Sequence, residues 1–190
     1  MAEEKKIIRV STIAQQAWCE QKMLFMLQGR EAPETEEEEV GRMMHSILGF
    51  NEEIPVEMDY KGYTIQGHID RLVAYMGNKV VYEFKTVSGT YPLKFMLAPA
   101  HIQANIYAYM AKASSYVILV YDRGRHDFYG VHEQTNEERA IQNIQTAIDI
   151  MNGVHTLLPT FYQWKCNICS FRTFCPYGKI KVVRNDSGSK

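Results

Sequence analysis

The 190-residue sequence lacks the features that would place it in a specialised class of protein. No apolar run approaches the roughly 20 residues that span a bilayer, and the N-terminus has no apolar stretch typical of a signal peptide. The net charge of −1 does not by itself indicate a nucleic-acid binder. With 46% hydrophobic and 23% charged residues, disorder and a coiled coil are excluded. We therefore expect a cytoplasmic globular domain that buries its own core, with no membrane partner.

The charges are distributed unevenly along the chain. Residues 31–59 are strongly acidic, whereas residues 165–190 are strongly basic. The basic segment is predicted to form a local patch that contacts DNA phosphates through Lys179, Lys181 and Arg184. The alternative is that both runs are solvated surface.

Apolar periodicity and turn residues predict an α+β fold with a central mixed sheet. Thr35 and Glu38 form a capping-box pattern at the start of one helix, and Asn136 is a second candidate N-cap. The predicted helices cover residues 11–28, 36–48, 99–113 and 137–153. The predicted strands cover residues 54–60, 63–76, 79–87, 116–121 and 127–132.

Two carboxylates and a lysine are predicted to share one face of a hairpin. A two-residue turn at Gly77-Asn78 sets the strand register, which places Asp70 opposite Lys85 and Glu83 diagonally beside it. Crowded carboxylates repel one another unless a cation lies between them, and oxygen ligands suit Mg²⁺ or Mn²⁺. A lysine beside such a metal can orient or deprotonate water or stabilise developing charge. The alternative is a cross-strand salt bridge between Asp70 and Lys85.

Three further polar residues are weak candidates when each is considered alone. His45 lies one turn after Gly41 in its predicted helix, and a single histidine is more often packed or exposed than a ligand. Gln103 and Tyr107 lie at positions i and i+4 of another helix. Their alternative is a half-buried amphipathic face.

Three cysteines near the C-terminus form a C-x2-C-x5-C pattern, and a fourth lies far upstream. Cys166, Cys169 and Cys175 are followed by Pro176, as in ferredoxin-type sequences, and the upstream cysteine is Cys19. In a cytosolic protein such clustering favours a metal site over disulfides. An iron–sulfur cluster, a zinc ion and free thiols all remain open on spacing alone. The aromatic residues available to shield a cluster are Trp164, Phe171, Phe174 and Tyr177.

Taken together and in order, these motifs resemble the CRISPR-associated protein four family of RecB-like iron–sulfur nucleases. The resemblance extends from Cys19 to Cys175, nearly the whole chain. This family often has proline after the first cysteine, where this chain has Glu20. The matching motifs are His45, Gly67-His68-Ile69-Asp70, Glu83-Phe84-Lys85, Gln103-x3-Tyr107 and the four cysteines.

The resemblance implies a restriction-endonuclease-like, PD-(D/E)XK core with a mixed sheet flanked by helices. It implies that His45, Asp70, Glu83 and the carbonyl of Phe84 bind Mg²⁺ or Mn²⁺, with Asp70, Glu83 and Lys85 catalytic. Gln103 and Tyr107 would line the active site near the DNA. The four cysteines, Cys19, Cys166, Cys169 and Cys175, would hold an iron–sulfur cluster, with the 4Fe–4S form favoured over 2Fe–2S.

The resemblance further implies an antiviral-defence exonuclease that trims single-stranded DNA or DNA ends for CRISPR spacer acquisition, together with the adaptation integrase. Residues 1–190 would form one RecB-like domain, with a nuclease core at 30–157. An iron–sulfur subdomain would combine 1–29 with 158–180, and 181–190 would be a flexible tail. The alternatives are a RecB-like repair or viral nuclease without a CRISPR partner, and a non-catalytic DNA-end-binding module.

Overall fold

The computed structural model of the chain describes residues 6–50, 53–89 and 93–178. The predicted DNA contacts at Lys179, Lys181 and Arg184 and the predicted tail at 181–190 lie outside the described residues. The structure has helices flanking mixed β-sheets, so the α+β prediction is confirmed.

The helices and strands of the described residues follow one another in mixed order. The helices are α1 Val10–Ala14, α2 Glu20–Leu27, α3 Glu36–Ile47, α4 Leu93–Met110, α5 Glu137–Met151 and α6 Gln163–Asn167. The strands are β1 Lys6–Arg9, β2 Ile54–Tyr60, β3 Tyr63–Ile69, β4 Arg71–Tyr75, β5 Asn78–Val87, β6 Ser115–Asp122 and β7 Asp127–Gln134. None of these helices combines the length and apolar character required of a membrane span.

Hydrogen bonding divides the strands into two sheets, which corrects the prediction of one central sheet. The first has the order β1-β3-β2 and the second β4-β5-β6-β7. Each sheet combines one parallel pair, β1 with β3 or β5 with β6, with antiparallel pairs. The predicted continuous strand 63–76 is interrupted at Asp70, where the chain passes from the first sheet to the second.

The hairpin between β4 and β5 turns one position earlier than predicted. Tyr75 pairs with Asn78, so the turn residues are Met76 and Gly77, with φ values of 48° and 78°. A two-residue turn with two positive φ angles favours glycine at its second position, which explains the shift. The other predicted turn, Lys61-Gly62 between β2 and β3, is confirmed by the pairing of the residues that flank it.

The shifted turn changes the pairing but preserves the predicted shared face. Arg71 pairs with Tyr82, so the next position along the ladder places Asp70 opposite Glu83 rather than Lys85. A shift of two residues keeps the alternation of side chains, whereas a shift of one would reverse it. Asp70, Glu83 and Lys85 therefore still point to one side of the hairpin.

Two predicted helix starts are confirmed by their capping bonds. Glu38 N donates to Thr35 Oγ1 at 3.3 Å, and Thr35 N donates to Glu38 Oε2 at 2.8 Å, which completes the capping box of α3. Arg139 N donates to Asn136 Oδ1 at 2.9 Å at the start of α5. These bonds satisfy backbone donors that the first turn of a helix leaves free.

The prediction of one helix over 11–28 is wrong. A 3-10 turn at Gln15–Ala17 follows α1, and the chain is extended at Cys19 (φ −170°), which is the N-cap of α2. The apolar periodicity continues across this break because both helices contribute to the core. The strand β1 was not predicted, and α4 begins at Leu93 rather than at 99, with Pro99 inside the helix.

The core lies between the sheets and the helices α1, α4 and α5. Its largest fully buried aliphatic side chains include Ile8, Ile13, Ile65, Ile106 and Ile144. Two of these, Ile8 and Ile13, belong to the N-terminal segment that the sequence assigns to an iron–sulfur subdomain. The predicted division into core and subdomain stays a prediction.

Candidate functional site

A cavity of about 450 Å³ brings together the predicted nuclease residues. Its walls come from α3, from the point where β3 meets β4, from β5 and from α4. The predicted residues that line it are His45, Asp70, Glu83, Lys85, Gln103 and Tyr107.

Asp70 lies at the point where the chain leaves the first sheet. Phe84 N donates to Asp70 Oδ2 at 2.6 Å, so the carboxylate replaces the backbone acceptor that a continuous strand would supply. The other oxygen, Oδ1, lies 3.7 Å from His45 Nδ1. Burial raises the pKa of Asp70, although the nearby Lys85 and the Phe84 amide oppose this rise.

Glu83 is a buried carboxylate whose loss of hydration is not fully replaced by hydrogen bonds. Its residue is 1% exposed, and Lys85 Nζ lies 2.6 Å from its Oε1. Neither carboxylate oxygen has a well-directed hydrogen bond from the described residues. Burial raises the pKa of Glu83 to about 7, against the opposing attraction of Lys85. A buried carboxylate that faces a polar cavity, with Lys85 as its close charged partner, fits a site that holds a further cation.

The Lys85 ammonium points between the carboxylates and α4. Its Nζ lies 3.5 Å from Gln103 Oε1, and the side chain is 35% exposed. Burial favours the neutral amine, but the carboxylates of Glu83 and Asp70 outweigh it and raise the pKa of Lys85. This lysine is therefore charged at neutral pH in the protein without metal.

His45 approaches the backbone of β5 from α3. Its Nε2 lies 3.2 Å from the carbonyl oxygen of Phe84, and its ring packs 5.0 Å from the Phe84 ring. Phe50 stacks on Phe84 at 4.7 Å and closes the other side of this ring cluster. The imidazole and the carbonyl, which the family resemblance assigns to one metal ion, are thus adjacent.

Tyr107 forms the buried wall of the cavity. It is 2% exposed, and His68 N donates to its hydroxyl oxygen at 3.3 Å. A Cβ atom at Gly67 would lie 2.5 Å from that oxygen and 2.6 Å from the ring, so only glycine fits there. Burial raises the pKa of Tyr107, which keeps its hydroxyl protonated.

Other cavity residues were not singled out from the sequence. Glu53 offers a carboxylate oxygen that lies, with ligand atoms of His45 and Asp70, in a group spanning no more than 4.8 Å. Arg9 enters the cavity from the unpredicted strand β1, and His68 lies at its rim with a 61% exposed side chain. Glu53 gave no separate signal because it belongs to an acidic run without periodicity.

A second cavity, of about 500 Å³, also has Lys85 in its lining. The acidic first turn of α3, with Glu36, Glu37 and Glu38, forms one wall. The end of β5 and Cys169 also line it. This acidic groove extends from the carboxylate site towards the cysteines.

The four cysteines line one small cavity, although they come from opposite ends of the chain. All four are free and half-buried, so disulfides are absent among them. The extended backbone at Cys19 turns its thiol out of the helical path, and Thr160 N donates to its sulfur at 3.5 Å. Burial raises the pKa values of Cys166 and Cys169, and the neighbouring cysteines raise that of Cys166 further.

The sulfur atoms leave the choice of metal where the sequence left it. Among these described cysteines, no three sulfurs lie within 4.8 Å of one another. The iron–sulfur cluster stays a prediction. Of the predicted shielding aromatics, Phe171 and Tyr177 line the cavity, whereas Trp164 packs against Trp18 and Phe174 is 46% exposed.

Glu20 and Lys165 join the two ends of the chain beside this cavity. Glu20 Oε2 accepts from Leu158 N at 2.7 Å and lies 3.1 Å from His155 Nε2. Lys165 Nζ donates to Trp18 O at 3.3 Å and lies over four aromatic rings. Because Lys165 is only 4% exposed, it does not belong to a surface basic patch, which corrects that part of the prediction.

The profile of the PD-(D/E)XK nuclease superfamily matches residues 3–176, and the chain belongs to this superfamily. The fold is similar to the crystal structure of SSO0001, with a TM-score of 0.61 and 22% identity over 95% of this chain and 91% of that chain. No curated protein sequence matches. The more specific resemblance to CRISPR-associated protein four stays a prediction.

Two further solved structures have lower similarity. One is LHK-Exo in complex with dAMP, with a TM-score of 0.46 and 9% identity over 79% of this chain and 87% of that chain. The other is the alkaline exonuclease LHK-Exo from Laribacter hongkongensis, with a TM-score of 0.47 and 11% identity over 77% and 87%.

Proposed function

We propose that the protein is a metal-dependent deoxyribonuclease that hydrolyses phosphodiesters at DNA ends or in single strands. The observation that carries this proposal is the convergence of Asp70, Glu83, Lys85 and His45 in one cavity of a PD-(D/E)XK chain. A binding module without catalysis has no need for a buried Glu83 that lacks compensating hydrogen bonds.

Each residue has a defined part in the proposed reaction. His45, Asp70, Glu83 and the Phe84 carbonyl would hold Mg²⁺ or Mn²⁺, which supplies Lewis acidity and lowers the pKa of coordinated water. The Phe84 amide holds Asp70 in place through its 2.6 Å bond. Lys85 presents a charged donor to the phosphate oxygens that gain negative charge. Gln103 and Tyr107 support the lysine side of the cavity.

We also propose that Cys19, Cys166, Cys169 and Cys175 hold an iron–sulfur cluster, of the 4Fe–4S type. The shared cavity, the free thiols and the C-x2-C-x5-C spacing followed by Pro176 support this assignment. Hydrolysis requires no electron, so the cluster acts as a structural link between the two ends of the chain.

The pathway assigned by the motif resemblance is CRISPR spacer acquisition, with the adaptation integrase as partner. Its support is the order of the motifs, from Cys19 to Cys175, rather than any contact in the structure. Incubation of the protein with an integrase complex and overhanging DNA should yield trimmed, integrated products. Cleavage without stable association or integration would favour the repair or viral alternative.

The nuclease proposal is tested with Asp70→Asn and Lys85→Met against Lys79→Met, an exposed lysine on the same strand. Both site variants should reduce Mn²⁺-dependent cleavage of labelled single-stranded DNA at least 1000-fold, an estimate from the loss of about 4 kcal/mol of transition-state stabilisation. Lys79→Met should retain the wild-type rate. Wild-type cleavage by purified Asp70→Asn would contradict the proposal. DNA-end binding without cleavage by the wild-type protein would favour the binding module.

A further inference from the structure

We propose that Glu53 is a direct ligand, with His45 and Asp70, of a divalent-cation site at the solvent side of the cavity. The inference rests on the proposed nuclease function and adds a residue that the motifs of the family resemblance do not contain. It assigns a metal-binding role to a carboxylate carried by the segment between α3 and β2.

The first support is that three ligand side chains, one imidazole and two carboxylates, come together from three separate parts of the fold. One nitrogen of His45, one oxygen of Glu53 and one oxygen of Asp70 form a group with no separation above 4.8 Å. Ligands around one Mn²⁺ or Mg²⁺ at about 2.1 Å are separated by about 3 to 4 Å, so small side-chain rotations bring these atoms into range.

The second support is that the two carboxylate oxygens of Asp70 have different partners. Its Oδ2 is engaged by the Phe84 amide at 2.6 Å, whereas Oδ1 faces His45 at 3.7 Å. Oδ1 is therefore the Asp70 oxygen that the backbone amide of Phe84 leaves available beside His45. The Glu53 side chain is 49% exposed and its Oε2 lies 4.0 Å from His68 Nδ1, a separation that leaves the carboxylate free to turn inward.

The third support comes from the buried side of the same cavity. Glu83 is 1% exposed, its oxygens lack directed hydrogen bonds, and it lines the same cavity as Asp70 and Glu53. The positive side chains among the lining residues described are Lys85, 2.6 Å from Glu83 Oε1, and Arg9. Carboxylates that line one cavity repel one another. A divalent cation among them removes this repulsion, and the imidazole nitrogen favours Mn²⁺ over Mg²⁺.

The ligand role is tested by titrating Mn²⁺ into the full-length protein with its cluster intact, with free Mn²⁺ measured by electron paramagnetic resonance. Glu53→Gln should weaken Mn²⁺ binding about tenfold. Glu57→Gln, a matched change at an exposed glutamate of β2, should stay within twofold of wild type. Glu53→Asp keeps the charge but shortens the side chain, so it should also weaken binding if coordination is direct.

High salt distinguishes direct coordination of Mn²⁺ by Glu53 from a long-range effect of its charge. At 1 M salt, interactions between exposed charges are screened beyond about 3 Å, whereas direct coordination remains. The difference between wild type and Glu53→Gln should persist at 1 M KCl. A difference that disappears in salt, or full rescue by Glu53→Asp, would overturn the ligand assignment. If Asp70→Asn loses Mn²⁺ binding but Glu53→Gln does not, only this inference fails. If neither variant affects Mn²⁺ binding, the proposed metal site fails as well.

Discussion

The carboxylate site and the cysteine region are assembled in opposite ways. Asp70 and Phe84 are 14 positions apart and are bound to each other within one hairpin. Cys19 and Cys166 are 147 positions apart and share a cavity with no regular strand or helix pairing between them. Local pairing costs little loop entropy, whereas joining distant segments costs more. The Asp70 carboxylate is therefore held by the hairpin itself, whereas the proposed cluster would contribute to holding the cysteine region together.

The two chain ends meet through side-chain contacts rather than through a sheet. Glu20 accepts a hydrogen bond from Leu158 N and lies beside His155, and Lys165 donates to Trp18 O. Aromatic rings add to this contact, for example Trp18 on Trp164 at 5.4 Å. Loss of the proposed cluster should therefore affect the cysteine region more than loss of metal affects the carboxylate site.

The largest expected effect is that of Cys166→Ser. Closure of a loop of about 100 residues contributes roughly 5 kcal/mol in the chain-entropy model of cross-links, which sets the scale for losing the proposed cluster. The variant should lose visible absorbance and several kcal/mol of unfolding free energy, measured by denaturant titration. Asp70→Asn should keep both the absorbance and most of the stability. If Cys166→Ser and Asp70→Asn lowered the unfolding free energy equally, the contrast between the cysteine region and the carboxylate site would be contradicted.

A second effect concerns pH and the carboxylate site in metal-free protein. Burial raises the pKa of Glu83 from its ordinary 4.5 to about 7 in the folded protein. Because the folded pKa is raised, the stabilising contribution is present below pH 4.5 and is lost as the pH rises through 7. The loss amounts to at most about 3 kcal/mol.

This pH effect is measured by comparing thermal unfolding of wild type and Glu83→Gln after dialysis into metal-free buffer. Between pH 5 and 8, the melting temperature of the wild type should fall relative to that of Glu83→Gln. Added Mg²⁺ should raise the melting temperature of the wild type again at pH 8. A constant difference across this range would show that Glu83 does not carry the uncompensated charge.

Packing at the junction of the sheets provides a third, smaller test. Gly67→Ala forces a Cβ to within 2.5 Å of the Tyr107 oxygen, and overpacking of this kind costs about 1–3 kcal/mol. Gly130→Ala is the matched control because nothing lies within 4 Å of its Cβ position. Only Gly67→Ala should lower the unfolding free energy, while visible absorbance stays unchanged in both. Equal stability of the two variants would mean that Tyr107 can move aside.

The smallest expected effect is that of Glu20→Ala in the cysteine region. It removes the acceptor for Leu158 N, and because Leu158 is exposed, water can replace the lost partner, so the cost is the net value of one hydrogen bond, about 0.5–1.5 kcal/mol. Glu20→Pro suits the first position of α2 but also lacks the acceptor, so it should resemble Glu20→Ala. Proteolysis between residues 154 and 161 should be faster in both variants. Wild-type protection in Glu20→Ala would exclude this bond as a support of the segment.

Several features followed from sequence because their causes are local. The capping box at Thr35 and the turn at Lys61-Gly62 involve residues within three positions of each other. The shared face of Asp70 and Glu83 was predicted despite an incorrect register, since the error was an even number of residues. The PD-(D/E)XK superfamily followed from the order of the motifs.

The features that were missed depend on tertiary contacts. The break before Cys19 has no helix-breaking residue, so apolar periodicity concealed it. The strand β1 forms only because β3 offers a parallel edge to Lys6–Arg9. The fit between Gly67 and Tyr107 joins a strand to a helix, and no pattern within either element records it.

The acidic first turn of α3 has a consequence for the direction from which a nucleic acid can approach. Glu36, Glu37 and Glu38 line the groove that reaches Lys85, and their charges, reduced where Arg123 pairs with Glu37, disfavour a polyanion there. Arg9 and His68 line the other cavity that Lys85 shares, the one that holds the carboxylates. With the proposed metal ion neutralising those carboxylates, a DNA strand would meet less uncompensated negative charge past Arg9 and His68 than along the glutamates.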